Sequence, residues 1–313
     1  MENHRVDDDA EFFIFITGRE VPVNASHVRI HESVPDIPRL AFFRRRQLKT
    51  VVCHSDVERV GFAAFMDSYH LRNIKLPGVK IIDGQAFKQT SLAYIECDEV
   101  ESIGESAFSY CESLKKISLP RIRNIGRDSF FDCEQMIVAE LGEGLDTIAD
   151  GAFCYCRSLK RIAIPLKVNL LVSDENQLLD KFDHCDDLVT VTLVGEIHRT
   201  VSYLPFESWR NEMYEEIDRI NHLLPTLTPG LKTIHIHRWM ESVLERADHF
   251  EAEHRGLLVE ATTQIELALW NAKLDDVHDV SGVDEAQRAE CRVSCGSAII
   301  IPNVLAFLVM PVS

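Results

Sequence analysis

The chain has 313 residues, 46% of them hydrophobic and 27% charged, enough material to bury a sizeable core in one large domain or two. Its formal net charge of −17 argues against general affinity for a nucleic-acid backbone or an anionic membrane, and no run of about 20 apolar residues offers a membrane span. Nine cysteines, an odd number, behind an N-terminus with Asp7, Asp8 and Asp9 where a secretory signal needs positive charge, point to reduced thiols in an intracellular protein, cytoplasmic or nuclear and not secreted.

Residues 1–19 form an N-terminal segment with one short apolar run, Phe12 to Ile16. A repeat follows. Phe recurs at Phe42, Phe65, Phe87, Phe108, Phe130, Phe153 and Phe182, at spacings of 23, 22, 21, 22, 23 and 29 residues. In the regular units Ala or Ser precedes it (Ala64, Ala86, Ala107, Ser129, Ala152), and Val60, Ile82, Ile103, Ile125 or Ile148 stands five residues ahead. After each Phe comes a strand-like unit with apolar residues at offsets 0, 3 and 5, as in Leu71/Ile74/Leu76 and Leu114/Ile117/Leu119. The same offsets recur before the first Phe, at Ala25/Val28/Ile30, and after the last, at Leu231/Ile234/Ile236, giving nine candidate strands. A unit of this length cannot bury its apolar face alone, so the units must stack into an α/β repeat solenoid with short parallel strands. Cys111, Cys133, Cys156 and Cys185, each three residues after a repeat Phe, form a column of small buried side chains rather than a metal or redox centre. Cys154, where other units carry Ser, Phe or Lys, is expected to be the more exposed and reactive thiol.

The pattern I-G-x-x-A-F-x-x-C-x-x-L-x-x-I-x-L-P resembles the BspA-type, or Treponema-type, leucine-rich repeat. Ile103-Gly104, Ala107-Phe108, Cys111, Leu114, Ile117 and Leu119-Pro120 match it closely, and the resemblance covers about Val28 to Val194. It implies a noncatalytic protein that binds other proteins or surfaces. The stretches from Arg238 to Phe250 and from Thr262 to Asp276 are also similar to the helical tail of large algal expansions of this repeat.

The solenoid is expected over 20–236, with a helix inserted at about 205–224 on the spacing of Trp209, Met213, Ile217, Ile220 and Leu224. A helical C-terminal cap follows over 237–274, through Val243, Ala247, Phe250, Leu257, Ala261 and Ile265, with an interruption near Gly256. Such a cap covers the open end of a solenoid, and Trp239, Phe250 and Trp270 are its candidate self-association anchors. Residues 275–290 read as a linker and 291–313 as an apolar tail packing on the cap. The Cys291 and Cys295 pair has no second pair nearby to make a zinc site.

Binding is expected on the exposed strand positions, offsets 1, 2 and 4. Across nine strands these carry Arg29, Lys49, Arg72, Lys75, Lys115, Lys116, Lys160, Arg161 and Lys232 against Glu96 and Glu140, or nine minus two, +7. Residues 207–290 carry 18 acids and 8 bases, or −10. The solubilising role of such lysines is the plain alternative to a steered face for an acidic partner segment. Apart from Tyr94 that face lacks the aromatics of a nucleic-acid site, and Arg44-Arg45-Arg46 reads as a solvated turn. No phosphate loop, G-x-S-x-G elbow or H-E-x-x-H helix is present. The reading is therefore a noncatalytic protein–protein scaffold without metal or cofactor. The alternatives are a homodimer through the C-terminal helices and, from another class, a weak metal- or thiol-dependent enzyme.

Overall fold

The structure, a computed structural model, describes residues 12–167, 169–171 and 181–278, the last of these (271–278) as helix backbone. The expected apolar tail with Cys291 and Cys295 lies outside the described residues, as do the first residues of the N-terminal segment and most of the linker. Among the described residues fourteen strands form two sides of a coiled chain: β1 (Phe13–Phe15), β2 (His27–Ile30), β3 (Asp36–Ile37), β4 (Thr50–Val52), β5 (Arg59–Val60), β6 (Asn73–Lys75), β7 (Ile81–Ile82), β8 (Ser102–Ile103), β9 (Lys116–Leu119), β10 (Asn124–Ile125), β11 (Val138–Leu141), β12 (Thr147–Ile148), β13 (Arg161–Pro165) and β14 (Thr190–Val194). The front ladder runs β1-β2-β4-β6 and, after a break, β9-β11-β13-β14; the back ladder runs β3-β5-β7-β8-β10-β12, and all pairings are parallel. This is the α/β repeat solenoid expected from the sequence.

Between the ladders runs a spine of phenylalanines. Phe42, Phe65, Phe87, Phe108, Phe130, Phe153 and Phe182 have no exposed surface. Their neighbouring rings stack at 4.9, 5.1, 5.2, 5.3, 5.2 and 5.8 Å, with the offset-stacked spacing that aromatic rings favour. Each Phe sits in a turn whose flanking residues take positive φ, such as Ala63 (50°) and Asp67 (61°) around Phe65. A non-glycine residue there costs roughly 1–2 kcal/mol. The cost is offset by hydrogen bonds to the next turn: Ala63, Phe65 and Asp67 donate their N–H groups to the carbonyls of Gly84, Ala86 and Lys88 at 3.0, 2.7 and 3.0 Å. After the back strand the chains approach closely, and a Cβ on Gly126 would lie 2.7 Å from the carbonyl carbon of Gly104.

The cysteine column does more than fill space. The S–H groups of Cys111, Cys133, Cys156 and Cys185 donate to the carbonyls of Phe87, Phe108, Phe130 and Phe153 at 3.1, 3.2, 3.1 and 3.0 Å. Ser68 makes the same bond to the Phe42 carbonyl at 2.9 Å. Cys154, expected to be the more exposed thiol of the pair, is 8% exposed against 0% for Cys156, and both are buried.

Three helices follow: α1 (Ile197–Tyr203), α2 (Glu207–Leu223) and α3 (Lys232–His278). The last strand is therefore β14. The expected strand at Leu231 to Ile236 is the start of α3, because the chain leaves Thr228-Pro229 into a helical turn and buries Ile236, Trp239, Met240 and Val243 at helical spacing. The helix also passes through Gly256 and through Asp275, where an interruption and a linker were expected. The described residues divide into two compact units, one running to Tyr203 and resuming over Arg210–Glu245, the other comprising Leu204–Trp209 and the chain from Arg246.

Ser68 supplies the control for a test of the column. Cys133→Ser keeps a side-chain donor for the Phe108 carbonyl and should unfold in urea within about 1 kcal/mol of the parent, whereas Cys133→Ala leaves that carbonyl with only the Cys111 N–H, opens a small cavity and should cost about 1–2 kcal/mol.

Candidate interaction surface

Strand register brings the outward side chains of the front ladder into columns. Arg29, Val52, Lys75 and Glu96 are successive Cα partners, as are Lys116, Val138, Arg161 and Thr190. Rungs about 4.8 Å apart place each charge beside its neighbours in the column. Lys75 pairs with Glu96 at 3.1 Å, and Glu140 takes Lys116 at 2.9 Å and Arg161 at 3.3 Å. Both acids of the face are thereby occupied. Lys49, Arg72, Lys115 and Lys160 are exposed, and none has an ion pair among the described residues. Arg29 lies over the Phe12 ring, 5.1 Å from its centroid. Tyr94 is 53% exposed and sits at the break in the ladder. Its rung is held to its neighbours by a single bridge, Lys75 to Glu96, and by the Lys115 N–H on the Ala93 carbonyl at 3.1 Å.

The back ladder has the opposite electrostatic character, which the sequence reading missed. Glu58, Lys80, Glu101, Arg123 and Asp146 follow one another rung by rung, each N–H bonded to the carbonyl before it. The signs alternate. Lys80 pairs with Glu58 and Lys167 with Asp146, both at 2.8 Å. The legible signal is the residue two places before each repeated Ile or Val. Asp146 is held below the ordinary carboxylate range by its hydrogen bond from Lys167.

Three expected site residues do not belong to any binding surface. Lys232 is 1% exposed, and its ammonium donates to the carbonyls of Cys185, Asp186 and Leu188 at 2.7, 2.8 and 3.0 Å. Burial lowers its pKa, opposed by the charge of Cys185 and of Asp186 and Asp187. Its role is to close the last turn, together with Thr233, whose hydroxyl oxygen accepts the N–H groups of Lys181 and Phe182 at 3.1 and 3.2 Å. Asn221 likewise accepts the Val191 N–H at 2.8 Å. Trp239, expected as a self-association anchor, is 2% exposed and donates its indole N–H to the Glu216 carbonyl at 2.9 Å. Phe250 is 3% exposed, stacked on Trp209 at 5.0 Å. Trp270 is half-buried. Removing Lys232 leaves eight bases and two acids on the front face, +6.

The buried thiols are poor nucleophiles. Burial pushes Cys53 and Cys97 up to about 12 and Cys111 up to about 11, and raises Cys133, Cys156 and Cys185 as well. Among the described residues no three His, Cys, Asp or Glu side chains converge as metal ligands, and no helix is long and apolar enough to cross a membrane.

A family model described as a BspA type leucine rich repeat region, in six copies, matches residues 22–99 and 80–204, more than half of the chain. Among solved structures the chain is similar to a T. pallidum leucine rich repeat protein, with 21% identity, TM-score 0.39, and coverage of 57% of this chain and 83% of that one. It is also similar to a leucine-rich repeat protein from Bacteroides ovatus, with 20% identity, TM-score 0.38, and coverage of 54% and 61%. A leucine rich cell surface protein from Faecalibacterium prausnitzii aligns at 20% identity over 54% of this chain and 73% of that one, with TM-score 0.24. No curated protein matches the chain.

Lys232→Met keeps the apolar stem and removes the ammonium. With three carbonyls of the last turn left without that donor, it should lower unfolding free energy by about 2–4 kcal/mol in urea titration, without changing partner binding at the front face.

Proposed function

Because the chain belongs to the BspA-type leucine-rich repeat family, we propose that it is a noncatalytic scaffold whose front strand face binds an acidic segment of a partner protein. Leucine-rich repeats of this kind serve protein–protein interaction, which is the coarse function. The finer reading is carried by one observation. The front face keeps Lys49, Arg72, Lys115 and Lys160 free of ion pairs after both its acids are occupied, while the back ladder alternates in sign. Exposed ion pairs contribute little to stability, so the surplus cations are better accounted for by steering a partner than by holding the fold. Tyr94, half-exposed between the two cationic clusters, is the aromatic that a binding hot spot would use. A protein partner is favoured over nucleic acid by the total charge of −17 and by the few aromatics of the face among the described residues, Tyr94 and the Phe12 ring beside Arg29. The thiol-enzyme alternative is disfavoured by burial of the cysteines. The proposal includes a reducing, intracellular compartment, in keeping with seven buried cysteines that form no disulfide.

The test is anisotropy of a fluorescent glutamate-rich peptide against the full chain. The parent should bind with an affinity that falls as salt rises. An Arg72→Glu/Lys115→Glu/Lys160→Glu variant should bind at least tenfold more weakly, as a few kcal/mol of lost charge contacts requires. Equal affinity in that variant would sink the strand-face reading.

A homodimer through α3 remains the second reading, moved from the buried Trp239 and Phe250 to a different stripe. Leu257, Ile265 and Leu269 are 40%, 47% and 45% exposed and fall within about 120° of one helix face, an apolar surface of the kind that pairs helices. Light scattering after size exclusion should show a salt-independent dimer that Ile265→Glu/Leu269→Glu converts to monomer. A parent that is monomeric at all concentrations rules the dimer out.

A further inference from the structure

The turns provide an internal comparison of a single position, the second residue after each spine Phe. Its φ is positive throughout, from 54° at His184 to 62° at Tyr155. In the early turns it holds Arg44, Asp67 and Gln89, so the fold itself asks for no aromatic there. Bulky side chains in this backbone region are uncommon. From Tyr110 onward that position holds Tyr110, Asp132, Tyr155 and His184, and Phe131, one residue earlier in its own turn, bridges the aromatic ones into an edge. Tyr110 meets Phe131 edge-on at 5.6 Å, Phe131 meets Tyr155 at 5.2 Å, and Tyr155 stacks on His184 at 4.3 Å. Tyr110 is 38% exposed, His184 is exposed, and Phe131 and Tyr155 are half-buried. The ridge spans four turns and is separate from both ladders.

Carboxylates flank this ridge. Glu112 and Glu134 are exposed and Asp132 is half-buried, and none of the three has an ion pair among the described residues. Asp132 titrates above the ordinary carboxylate range, chiefly through partial burial and then through the charge of Glu134, with the charge of Arg157 opposing both. A second cation beside it would add to the partial compensation that Arg157 already gives. The molecule already shows how cations sit on these rings: Lys88 lies 5.6 Å from the centroid of Tyr110, and Arg157 lies 5.9 Å from that of Tyr155.

We propose that this ridge is a second docking surface, for an extended basic segment of a partner protein. Lys or Arg stems of that segment lie across Tyr110, Phe131 and Tyr155, and their charged ends reach Glu112, Asp132 and Glu134. Long basic side chains are suited to such a strip, since the stem covers apolar surface while the head keeps its polar contacts. Charge complementarity names the partner: an apolar ridge edged with unpaired carboxylates fits a basic chain and repels an acidic one. The surface differs in sign and in place from the front face, so it stands whether or not the front-face reading holds.

The probe is a fluorescent oligo-arginine peptide titrated with the full chain at low and moderate salt, beside a matched oligo-glutamate. A Tyr110→Gln/Phe131→Ser/Tyr155→Gln variant replaces each ring with a residue that other turns carry at the same position, and it leaves net charge untouched. Its circular dichroism and melting should match the parent, and its affinity for oligo-arginine should fall about tenfold. Unchanged affinity would reduce the binding to unspecific attraction by a chain of −17 and overturn the proposal. Glu112→Gln/Asp132→Asn/Glu134→Gln, which keeps the rings, should lose most of the salt-sensitive part; a variant that keeps it overturns the proposal too. Arg72→Glu/Lys115→Glu/Lys160→Glu should bind oligo-arginine at least as well as the parent. If the aromatic variant instead turns a dimer into a monomer while oligo-arginine binding persists, the ridge is a contact between copies and the basic-segment reading fails.

Discussion

Each turn of this chain presents its backbone N–H and C=O groups to the turns on either side, in the strands and in the bends between them. The bonds from Ala63, Phe65 and Asp67 to Gly84, Ala86 and Lys88 show the ladder continuing through residues held at positive φ. Buried backbone groups must be paired, so the rest of the architecture follows from where those bonds go. Equivalent residues are forced into columns about one rung apart, which makes a spine of the phenylalanines and a second column of the cysteines, whose S–H groups add a second hydrogen bond to spine carbonyls that already accept a backbone N–H of their own turn. The last turn has no successor, and α2 and α3 supply substitutes: the Asn221 amide, the Thr233 hydroxyl and the Lys232 ammonium. A buried lysine is tolerable there because three carbonyls share its charge.

The solenoid was legible because column positions repeat, and repetition survives without knowledge of partners. The spacing of the spine Phe, the Ile five residues earlier and the strand offsets each gave the same frame, and the strands from β2 to β14 fall in it, with the Leu92 to Cys97 rung reduced to a single bridge; β1, in the segment expected to precede the solenoid, joins the front ladder as well. What was not legible depended on distant pairing. Leu231, Ile234 and Ile236 fit the strand offsets by coincidence, since a helix also places apolar residues at short intervals, and only Trp239, Met240 and Val243 continue the helical set. Lys232 appeared as one more basic strand residue. Its partners lie 44 to 47 positions earlier, which no local pattern reveals. Trp239 and Phe250 looked like anchors because large aromatics mark interfaces, yet one is tied down by Glu216 and the other by Trp209.

The candidate surfaces were half legible for a related reason. Which side chains share the front face follows from alternation along a strand, and Lys49, Arg72, Lys115 and Lys160 are exposed as expected. Which of those charges are cancelled depends on register. Lys75, Lys116 and Arg161 looked equivalent to the others in sequence and are the three that Glu96 and Glu140 engage. The aromatic edge was hidden in plain view: Tyr110, Tyr155 and His184 occupy a turn position whose outward direction is set by the backbone conformation and not by any polar or apolar pattern.

The three surfaces of the solenoid solve the same electrostatic problem differently. Two like charges about 5 Å apart repel by about 0.8 kcal/mol even at the dielectric of water, so a stacked repeat is penalised whenever one column repeats a sign. The back ladder avoids this by alternation through Glu58, Lys80, Glu101, Arg123 and Asp146. The front ladder does not: Lys49 stands directly beneath Arg72, whose N–H bonds its carbonyl at 3.0 Å, and Lys115 adjoins Lys116. The turn edge sets Asp132 near Glu134, a proximity that, after partial burial and against the charge of Arg157, lifts the Asp132 titration. Alternation was available at every one of these positions, as the back ladder proves. Repulsion retained at the front face and at the turn edge, and absent from the back, is therefore a cost that the fold does not require and that a ligand of opposite charge would remove.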